Sequence, residues 1–208
     1  MKRIVLMMVA VIATVSSVYA QNIMLPSPQK NGGLPINQTL SERHSEREFN
    51  PGKPISLQTV SDLLWATCGI NRSDNGMRTN PTARNFQEID AYWFDSNGVY
   101  IYDFKENALI QKANGDYRGL VAGTSQFKQD FVLDAPASIV LVGDTTKSGV
   151  TCALIDAGIA CENINLFCAG NGLATVPRMT MDVNGIQQLL SLPETSLPVM
   201  NNPVGYSK

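Results

Sequence analysis

A short polar turn between two apolar segments constrains the fold of this chain more than any other feature of its sequence. Residues 95–98 read Asp-Ser-Asn-Gly and separate segment 89–94 from segment 99–104. An Asn-Gly pair between two such segments is a strong signal for a β-hairpin. Residues 137–142 are almost continuously apolar and predict a buried strand, and a closing strand is predicted over 198–206. We therefore expect an antiparallel or mixed sheet.

Helical segments alternate with these strands. Ser56 is a suitable N-cap for a helix with apolar residues at helical spacing, and Gly69 should end that helix. The longest helix is predicted over 148–171, with a broad apolar face that includes Val150 and small residues that allow close packing in a core or a subunit interface. Asp182 should cap a short third helix. The predicted class is α+β, with the sheet flanked by helices.

Composition and charge exclude several classes of protein. The chain has 208 residues, of which 44% are hydrophobic and 16% charged, so it suits one domain with a sizeable core. A net charge of −2 argues against a nucleic-acid partner, whose binding surface would carry a basic stripe. His44 is the single histidine and the four cysteines contain no C-x-x-C pair, so we expect no metal site. Cys161 and Cys168 lie about two helical turns apart and cannot bridge, which favours buried free thiols.

The N-terminus has the order of a secretory signal peptide. Lys2 and Arg3 precede an apolar stretch over 4–15, and small residues precede Gln21. The apolar stretch is too short for a comfortable membrane span. An alternative is a misassigned start, with Met24 as the true initiator.

The expected organisation is a signal peptide at 1–20, an extended arm at 21–38 and one folded domain at 39–208. Cleavage would release an exported protein into the periplasm, without a membrane anchor. Export also implies an oxidising compartment.

A long polar segment at 71–88 looks structureless and lies between a predicted helix and the predicted hairpin. Loops of that length in a compact domain are usually functional or disordered, and the flanking elements make disorder the weaker alternative. The segment offers hydroxyl and amide groups from a turn. These residues are Pro81, Thr82, Ala83, Asn85 and Gln87.

A basic cluster at 43–47 reads Arg-His-Ser-Glu-Arg. Two guanidinium groups and a hydroxyl within five residues can bind a phosphate, because arginine presents a rigid fork of donors. The alternative is a solvated run of charges, since Glu42, Glu46 and Glu48 are interleaved. From spacing alone the solvated run is favoured.

Taken in order, these motifs resemble the nitroreductase family over about residues 39–208. The marks are Arg-x-Ser-x-Arg at 43–47, Pro-Thr-Ala-x-Asn-x-Gln at 81–87, Asp-Ala-Pro at 134–136, Gly-Leu-Ala-Thr-Val-Pro at 172–177 and Pro-Val-Gly-Tyr at 203–206. The helix end Leu-Trp-Ala at 64–66, followed by Gly69 and Asn-Arg at 71–72, resembles the branch that includes azoline-oxidising dehydrogenases.

The resemblance implies an FMN-binding α+β fold that works as an intertwined homodimer with flavins at the subunit interface. Arg43, Ser45 and Arg47 match positions that hold the FMN phosphate, ribityl chain and pyrimidine edge, and His44 would lie next to the phosphate. The partner subunit would contribute the segment that matches at Pro81, Thr82, Ala83, Asn85 and Gln87.

The stretch beside the reactive edge of the flavin would contain Val176, Pro177, Arg178 and Met179. Family members often carry Glu-Gly after that proline, whereas this chain carries Arg178 and Met179. Lys208 is the remaining substitute for the basic C-terminal residues that contact phosphate in longer relatives.

The resemblance leaves three functions open. The favoured one is an FMN-dependent oxidoreductase with a ping-pong cycle, NAD(P)H as donor and a nitro or quinone-like small molecule as substrate. A second is a flavin dehydrogenase that oxidises an organic, azoline-like substrate, since NAD(P)H is scarce outside the cytoplasm. A third is a non-enzymatic flavin-binding protein. No side chain is assigned as catalytic, because the flavin itself carries the redox chemistry.

Overall fold

An antiparallel sheet of seven strands forms the centre of the molecule, with strand order β1-β6-β5-β4-β7-β9-β8. The computed structural model describes residues 22–208, so the predicted signal peptide lies outside the described residues. The strands of the sheet are β1 Ile23–Met24, β4 Ile89–Asp95, β5 Gly98–Asp103, β6 Ala108–Asn114, β7 Ala137–Asp144, β8 Ala174–Thr175 and β9 Ser196–Gly205, and a separate pair comprises β2 Ile70–Arg72 and β3 Met77–Arg78.

Helices cover both faces of this sheet, which confirms the predicted α+β class. The helices are α1 Ile36–Glu42, α2 Leu57–Cys68, α3 Arg118–Ala122, α4 Thr145–Gly170 and α5 Val183–Leu190. Ile139 and Leu141 of β7 pack with α2 and α4, while Val140 and Val142 pack with α3 and α5. Burial on both faces explains why the sequence of β7 is continuously apolar and does not alternate.

The predicted hairpin is present, with β4 and β5 paired in register. Its turn depends on Asp95, whose Oδ1 accepts hydrogen bonds from the N–H groups of Asn97 (2.7 Å) and Gly98 (3.0 Å). Gly98 is not left-handed. It is needed because a Cβ there would lie 2.6 Å from the carbonyl oxygen of Ala113 on β6. The glycine therefore permits a close approach between neighbouring strands.

Helix α2 also follows its sequence signals. The Ser56 hydroxyl accepts a hydrogen bond from the Thr59 N–H at 3.1 Å, and the Thr67 hydroxyl donates to the Leu63 carbonyl at 2.8 Å. Gly69 ends the helix with extended backbone, and a Cβ there would lie 2.5 Å from Cδ1 of Trp65. Glycine is therefore required here because a side chain would clash with Trp65. The backbone at this position is not left-handed.

Helix α4 differs from its prediction in two ways. Its backbone breaks at Gly149, where φ is 74°, and Val150 is 54% exposed although we expected it in the core. Since the sheet covers only one side of the helix, a second apolar side remains open with Leu154 and Ile155. The small residues that face the sheet are Ala153, Ala157 and Ala160.

Among the described helices, α4 alone is long and apolar enough to cross a membrane. Much of this apolar character belongs to the side of α4 that carries the alanines and packs against the sheet.

Several elements left no clear pattern in the sequence. The prediction that 71–88 is structureless was wrong in part, because β2 and β3 form a small hairpin there and a 3-10 turn spans Ala83–Asn85. Strands of two or three residues are too short to show an alternation. Within the predicted arm at 21–38, β1 pairs with β6 and α1 begins at Ile36.

The cysteines are free thiols, as predicted. Cys68, Cys161 and Cys168 are buried and Cys152 is half-buried. Burial raises the pKa of the Cys68 and Cys161 thiols to about 12. The Cys161 thiol donates to Oδ1 of Asn202 at 3.0 Å. These thiols therefore act as packing groups at neutral pH.

Candidate functional site

The basic cluster runs along the end of the sheet between β8 and the C-terminal residues. The Glu46 N–H donates to the Thr175 carbonyl at 2.9 Å, Phe49 forms a bridge with Ser207, and the Lys208 N–H donates to the Glu48 carbonyl at 3.2 Å. Three separate stretches of sequence are therefore brought together. They are 43–49, 174–179 and 206–208.

The carboxylate of Glu46 is committed to the backbone of this cluster. Its Oε1 accepts hydrogen bonds from the N–H groups of Arg47 at 2.7 Å and Glu48 at 2.8 Å, and these two bonds lower the pKa of Glu46. Within residues 22–208 the side chains of Arg43 and Arg47 form no ion pair or hydrogen bond. The interleaved acids therefore do not neutralise the two guanidinium groups.

His44 and Ser45 lie on the exposed side of the cluster. The His44 side chain is 72% exposed, its Nδ1 donates to the Glu42 carbonyl at 2.7 Å, and its Nε2 lies 3.7 Å from Glu46 Oε2. A cavity of about 190 Å³ opens beside them, lined among others by Ala169 of α4 and Thr175 of β8. The ring of His44 is thus held by the backbone of its own loop.

Lys208 is placed near the same cluster by its backbone but pairs elsewhere through its side chain. Its Nζ lies 3.7 Å from Oδ2 of Asp134. Both groups are about half exposed, so this pair is weak and can be exchanged for another anion.

The stretch after β8 places its side chains alternately inside and outside. Val176 and Arg178 are buried, Pro177 is half-buried, and Met179 is 66% exposed. Arg178 also exchanges two backbone hydrogen bonds with Asn201 of β9, at 2.8 and 2.7 Å. The substitution at Arg178 therefore fills the protein interior, while Met179 faces outward at the edge of the site.

The Arg178 guanidinium lies in a pocket of neutral oxygens. Its Nε donates to Gln129 Oε1 at 2.8 Å and its Nη1 donates to Asn201 Oδ1 at 2.6 Å. The carbonyls of Val121 and Ala122 accept two further hydrogen bonds. Burial, and then the positive charge of Arg47, lower the pKa of Arg178 to about 10. Sequence reasoning identified this position but gave no sign that the side chain turns inward.

The segment at 81–87 lies on the other half of α4. The Ala83 N–H donates to Asp156 Oδ2 at 2.8 Å, and the Thr82 hydroxyl accepts from the Gln87 N–H at 2.9 Å. Pro81 is exposed and Ala83 is half-buried.

The backbone of this segment is unusual. Residues Arg84, Asn85 and Gln87 have φ of 50°, 57° and 51°. Left-handed backbone is uncommon outside glycine, and clusters of it mark ligand clamps and switch regions. The conformation leaves the Asn85 side chain exposed, next to Gln87, whose Nε2 lies 3.3 Å from Asn85 Oδ1.

Two buried carboxyl groups adjoin this segment, and sequence reasoning missed both. Glu88 is 1% exposed and Asp156 is 4% exposed. Neither carboxyl oxygen of Glu88 has a hydrogen-bond partner within residues 22–208. Burial and the neighbouring Asp156 raise the pKa of Glu88. An acidic residue directly after a polar loop gave no signal of burial, because Glu is usually exposed.

One chain does not bring the two predicted halves of the site together. The segment at 81–87 meets α4 at Asp156, whereas the cavity beside the basic cluster meets α4 at Ala169. At 1.5 Å per residue these two positions are about 20 Å apart along the helix. The cavity is also smaller than the roughly 300–1,000 Å³ of typical cofactor sites. One chain alone therefore leaves the two halves of the predicted site apart.

The chain belongs to the nitroreductase family, whose family model matches residues 40–206. A solved protein from Ralstonia eutropha JMP134, described as a nitroreductase, is 32% identical with a TM-score of 0.80, over 90% of both chains. An FMN-dependent nitroreductase from Clostridium difficile R20291 is 18% identical with a TM-score of 0.60, over 83% of this chain and 87% of that one. A search of curated proteins gave no match. Family membership supports a flavin-dependent oxidoreductase.

The residues of this site fit a phosphate-bearing flavin. Arg43 and Arg47 carry positive charge that no carboxylate within residues 22–208 neutralises, on the loop whose His44 lines the cavity, although no described arginine lines the cavity itself. Planar guanidinium groups match the geometry of a phosphate or a ring edge with adjacent acceptors.

Proposed function

We propose that this protein is an FMN-dependent oxidoreductase that works as a homodimer, with each flavin held between two subunits. The positive charge of Arg43 and Arg47, whose side chains have no carboxylate partner within residues 22–208, carries the proposal, and the buried cation of Arg178 lies within electrostatic reach of Arg47. Such a surplus of positive charge is stabilised when an anionic ligand binds beside it.

We assign the roles of the basic cluster from the family motif that it matches. Arg43 would bind the FMN phosphate, Ser45 would hydrogen-bond the ribityl chain, and Arg47 would contact the pyrimidine edge of the ring. Glu46 holds the backbone of this loop in place through its two hydrogen bonds to N–H groups. Preorganised donors of this kind reduce the entropy that binding costs.

The bound flavin would supply the redox chemistry, accepting a hydride from one substrate and passing electrons to the next. The protein would then need to position the flavin and the substrate and to exclude water. A general base would not be required. The placement of His44 agrees with this, since its ring is exposed and bonded to its own loop. Met179 would border the face of the ring that substrates reach.

The second subunit would complete the site with the segment at 81–87. The exposed Asn85 and half-buried Gln87 side chains are suited to hydrogen bonds with the polar edge of the ring. The open apolar side of α4 (Val150, Leu154 and Ile155) provides the surface for pairing the two chains.

Mixing two defective chains tests this shared site. Arg47→Ala removes a contact from one half and Asn85→Ala from the other. If each site uses Arg47 of one chain and Asn85 of its partner, a heterodimer of the two variants contains one intact site. We expect each variant alone to purify pale and the co-expressed heterodimer to bind one FMN per dimer. If the heterodimer is as pale as its parents, both residues act in the same chain and the arrangement is wrong.

For the donor and substrate, we propose NAD(P)H and a nitro or quinone-like compound. A protein from Clostridium acetobutylicum described as an NADH oxidase, 20% identical with a TM-score of 0.58 over 84% of this chain and 88% of that one, shares the fold. Anaerobic mixing of the FMN-loaded protein with NADH or NADPH should bleach the flavin. Bleaching only by an azoline-like organic compound would instead identify a dehydrogenase, and bleaching by neither would identify a flavin-binding protein without turnover.

A further inference from the structure

Among the described residues, Arg178 is a buried cation that has no carboxylate as a counter-ion. It is 7% exposed, and every acceptor around its guanidinium is a carbonyl or side-chain amide oxygen. Burying a charge is costly unless it is paired, so proteins usually place a carboxylate beside such a group. The hydrogen bonds hold the charge in place but do not neutralise it.

A second arginine of the same chain shows the usual arrangement. Arg118 also donates to two backbone carbonyls, those of Leu133 and Ala135, at 3.3 and 2.8 Å. In addition, its Nη2 lies 2.6 Å from Oδ2 of Asp116, which forms an ion pair. Arg178 is more deeply buried than Arg118, and within residues 22–208 it lacks the carboxylate that Arg118 has.

The charge of Arg178 acts on the basic cluster. The Phe131 ring stacks on Phe49, with centroids 6.4 Å apart, and the Arg178 guanidinium lies 5.5 Å from the centroid of Phe131. Phe49 follows Arg47 by two residues. The positive charge of Arg47 in turn lowers the pKa of Arg178, so the two cations are within electrostatic reach of each other.

We propose that Arg178 is a positioning residue for the redox step, an internal positive charge that acts with Arg47 to favour the reduced, anionic form of the bound flavin. This inference rests on the proposed function. A hydride carries two electrons and one proton, so its transfer oxidises the donor and leaves the flavin ring with one negative charge until a second proton arrives. An uncompensated cation nearby stabilises that charge more than it stabilises the neutral oxidised ring.

Gln129→Glu tests the inference without removing Arg178. Glutamate keeps the shape of glutamine and supplies the missing carboxylate at the atom that already accepts from Arg178 Nε. The new ion pair should preserve or raise the unfolding temperature while it cancels the charge. The matched control is Gln126→Glu, which adds the same negative charge at an exposed position of the same loop.

The measurement is the midpoint potential of bound FMN, obtained by equilibrium reduction against a dye of known potential. We expect Gln129→Glu to weaken the preference for reduced over oxidised FMN about tenfold, which corresponds to a fall of about 30 mV for a two-electron couple. Gln126→Glu should leave the potential unchanged. Arg178→Gln should lower it as Gln129→Glu does, and Arg178→Lys should restore part of the difference.

Two failures are distinguishable. If the parent protein binds no FMN in a fluorescence titration, the proposed function is wrong and this inference falls with it. If the parent binds FMN and Gln129→Glu has the same potential as the parent, the flavin function stands and the role of Arg178 is overturned. Equal shifts for Gln129→Glu and Gln126→Glu would also overturn it, because net charge alone would then explain the effect.

Discussion

The backbone N–H of Ala83 donates a hydrogen bond to Oδ2 of Asp156, at 2.8 Å, and so joins the left-handed segment at 81–87 to the middle of α4. The same carboxyl group lies beside the buried Glu88 and contributes to its raised pKa. Asp156 therefore has two roles that can be separated by mutation: it positions a loop that we expect to reach the partner's flavin, and it affects the charge state of its neighbour.

We expect Asp156→Ala to weaken FMN binding about tenfold, because the loop loses the acceptor that holds it. Loss of one hydrogen bond to a charged group should cost about 1.5–3 kcal/mol of unfolding free energy. Part of this loss should be regained, because the variant also removes the carboxyl group that lies beside the buried Glu88. Fluorescence titration and urea unfolding measure the two effects. Asp62→Ala is the control, since Asp62 also accepts a backbone N–H, that of Gln29 at 2.7 Å, away from the site. Equal FMN affinities in both variants would contradict the positioning role.

Glu88 should make the protein less stable as the pH rises. Its pKa is raised in the folded state by burial and by Asp156, so the folded protein retains a proton that the unfolded chain releases. The stabilising contribution is complete below the pKa of the unfolded carboxyl, near 4.3, and is lost as the pH passes the folded pKa. Glu88→Gln should therefore be more stable than the parent at pH 8 and nearly equal to it at pH 4.

Urea unfolding at several pH values checks this expectation, with exposed Glu106→Gln as the matched control. A difference between Glu88→Gln and the parent that does not change with pH would contradict a proton-linked effect and indicate a packing effect.

Arg47→Ala and Arg43→Ala should each weaken FMN binding by about tenfold to a hundredfold, because a charge-assisted hydrogen bond is worth about 1.5–3 kcal/mol. Arg84→Ala is the control, since Arg84 is exposed in the same segment as Asn85, at a position outside the motif. Arg47→Lys should recover part of the loss, because a single ammonium group cannot reproduce the planar fork. If both alanine variants bind FMN as tightly as the parent, the cluster is a solvated run of charges.

The apolar side of α4 should be the dimer interface. Ile155 is 58% exposed, and Ile155→Asp would place a charge in that interface, so we expect a monomer by light scattering at micromolar concentration and loss of bound FMN. Asn184→Asp, on the exposed side of α5, should remain dimeric. A dimer that persists in Ile155→Asp would place the interface elsewhere.

Export is tested by the mature N-terminus. Cleavage after Ala20 predicts a chain that begins at Gln21, in a periplasmic fraction of the native host, by mass spectrometry. An intact Met1 in a cytoplasmic fraction would contradict the assignment.

The parts of the fold that the sequence predicted are those in which local chemistry determines the structure. Ser56 and Asp182 cap their helices through the side-chain oxygens expected of them. The hairpin at Asp95 forms because its carboxylate binds the turn. Helix α1 and strand β6 were missed because neither has a regular apolar pattern: Thr39 is the buried residue of α1, and β6 contributes Leu109 to one face of the sheet and Ala113 to the other.

The sequence predicted some features of the candidate site and missed others, because the missed features depend on tertiary contacts. Motif order located Arg43 and Arg47, and the structure places them beside 174–179. The direction of the Arg178 side chain and the burial of Glu88 depend on groups more than 40 residues away, such as Val121 and Asp156. No local pattern in a single sequence contains that information.

The thiols of Cys68, Cys161 and Cys168 are protected only after the chain has folded. If the signal-peptide prediction is right and the chain is exported into an oxidising compartment, the unfolded thiols would have ordinary pKa values near 8.5 and would be open to incorrect pairing. All three belong to the same core cluster, where α2 meets α4. Docking of these two helices therefore removes every fully buried thiol from oxidants in one event, so the rate of that event, relative to the rate of thiol oxidation, sets the yield of correctly folded protein.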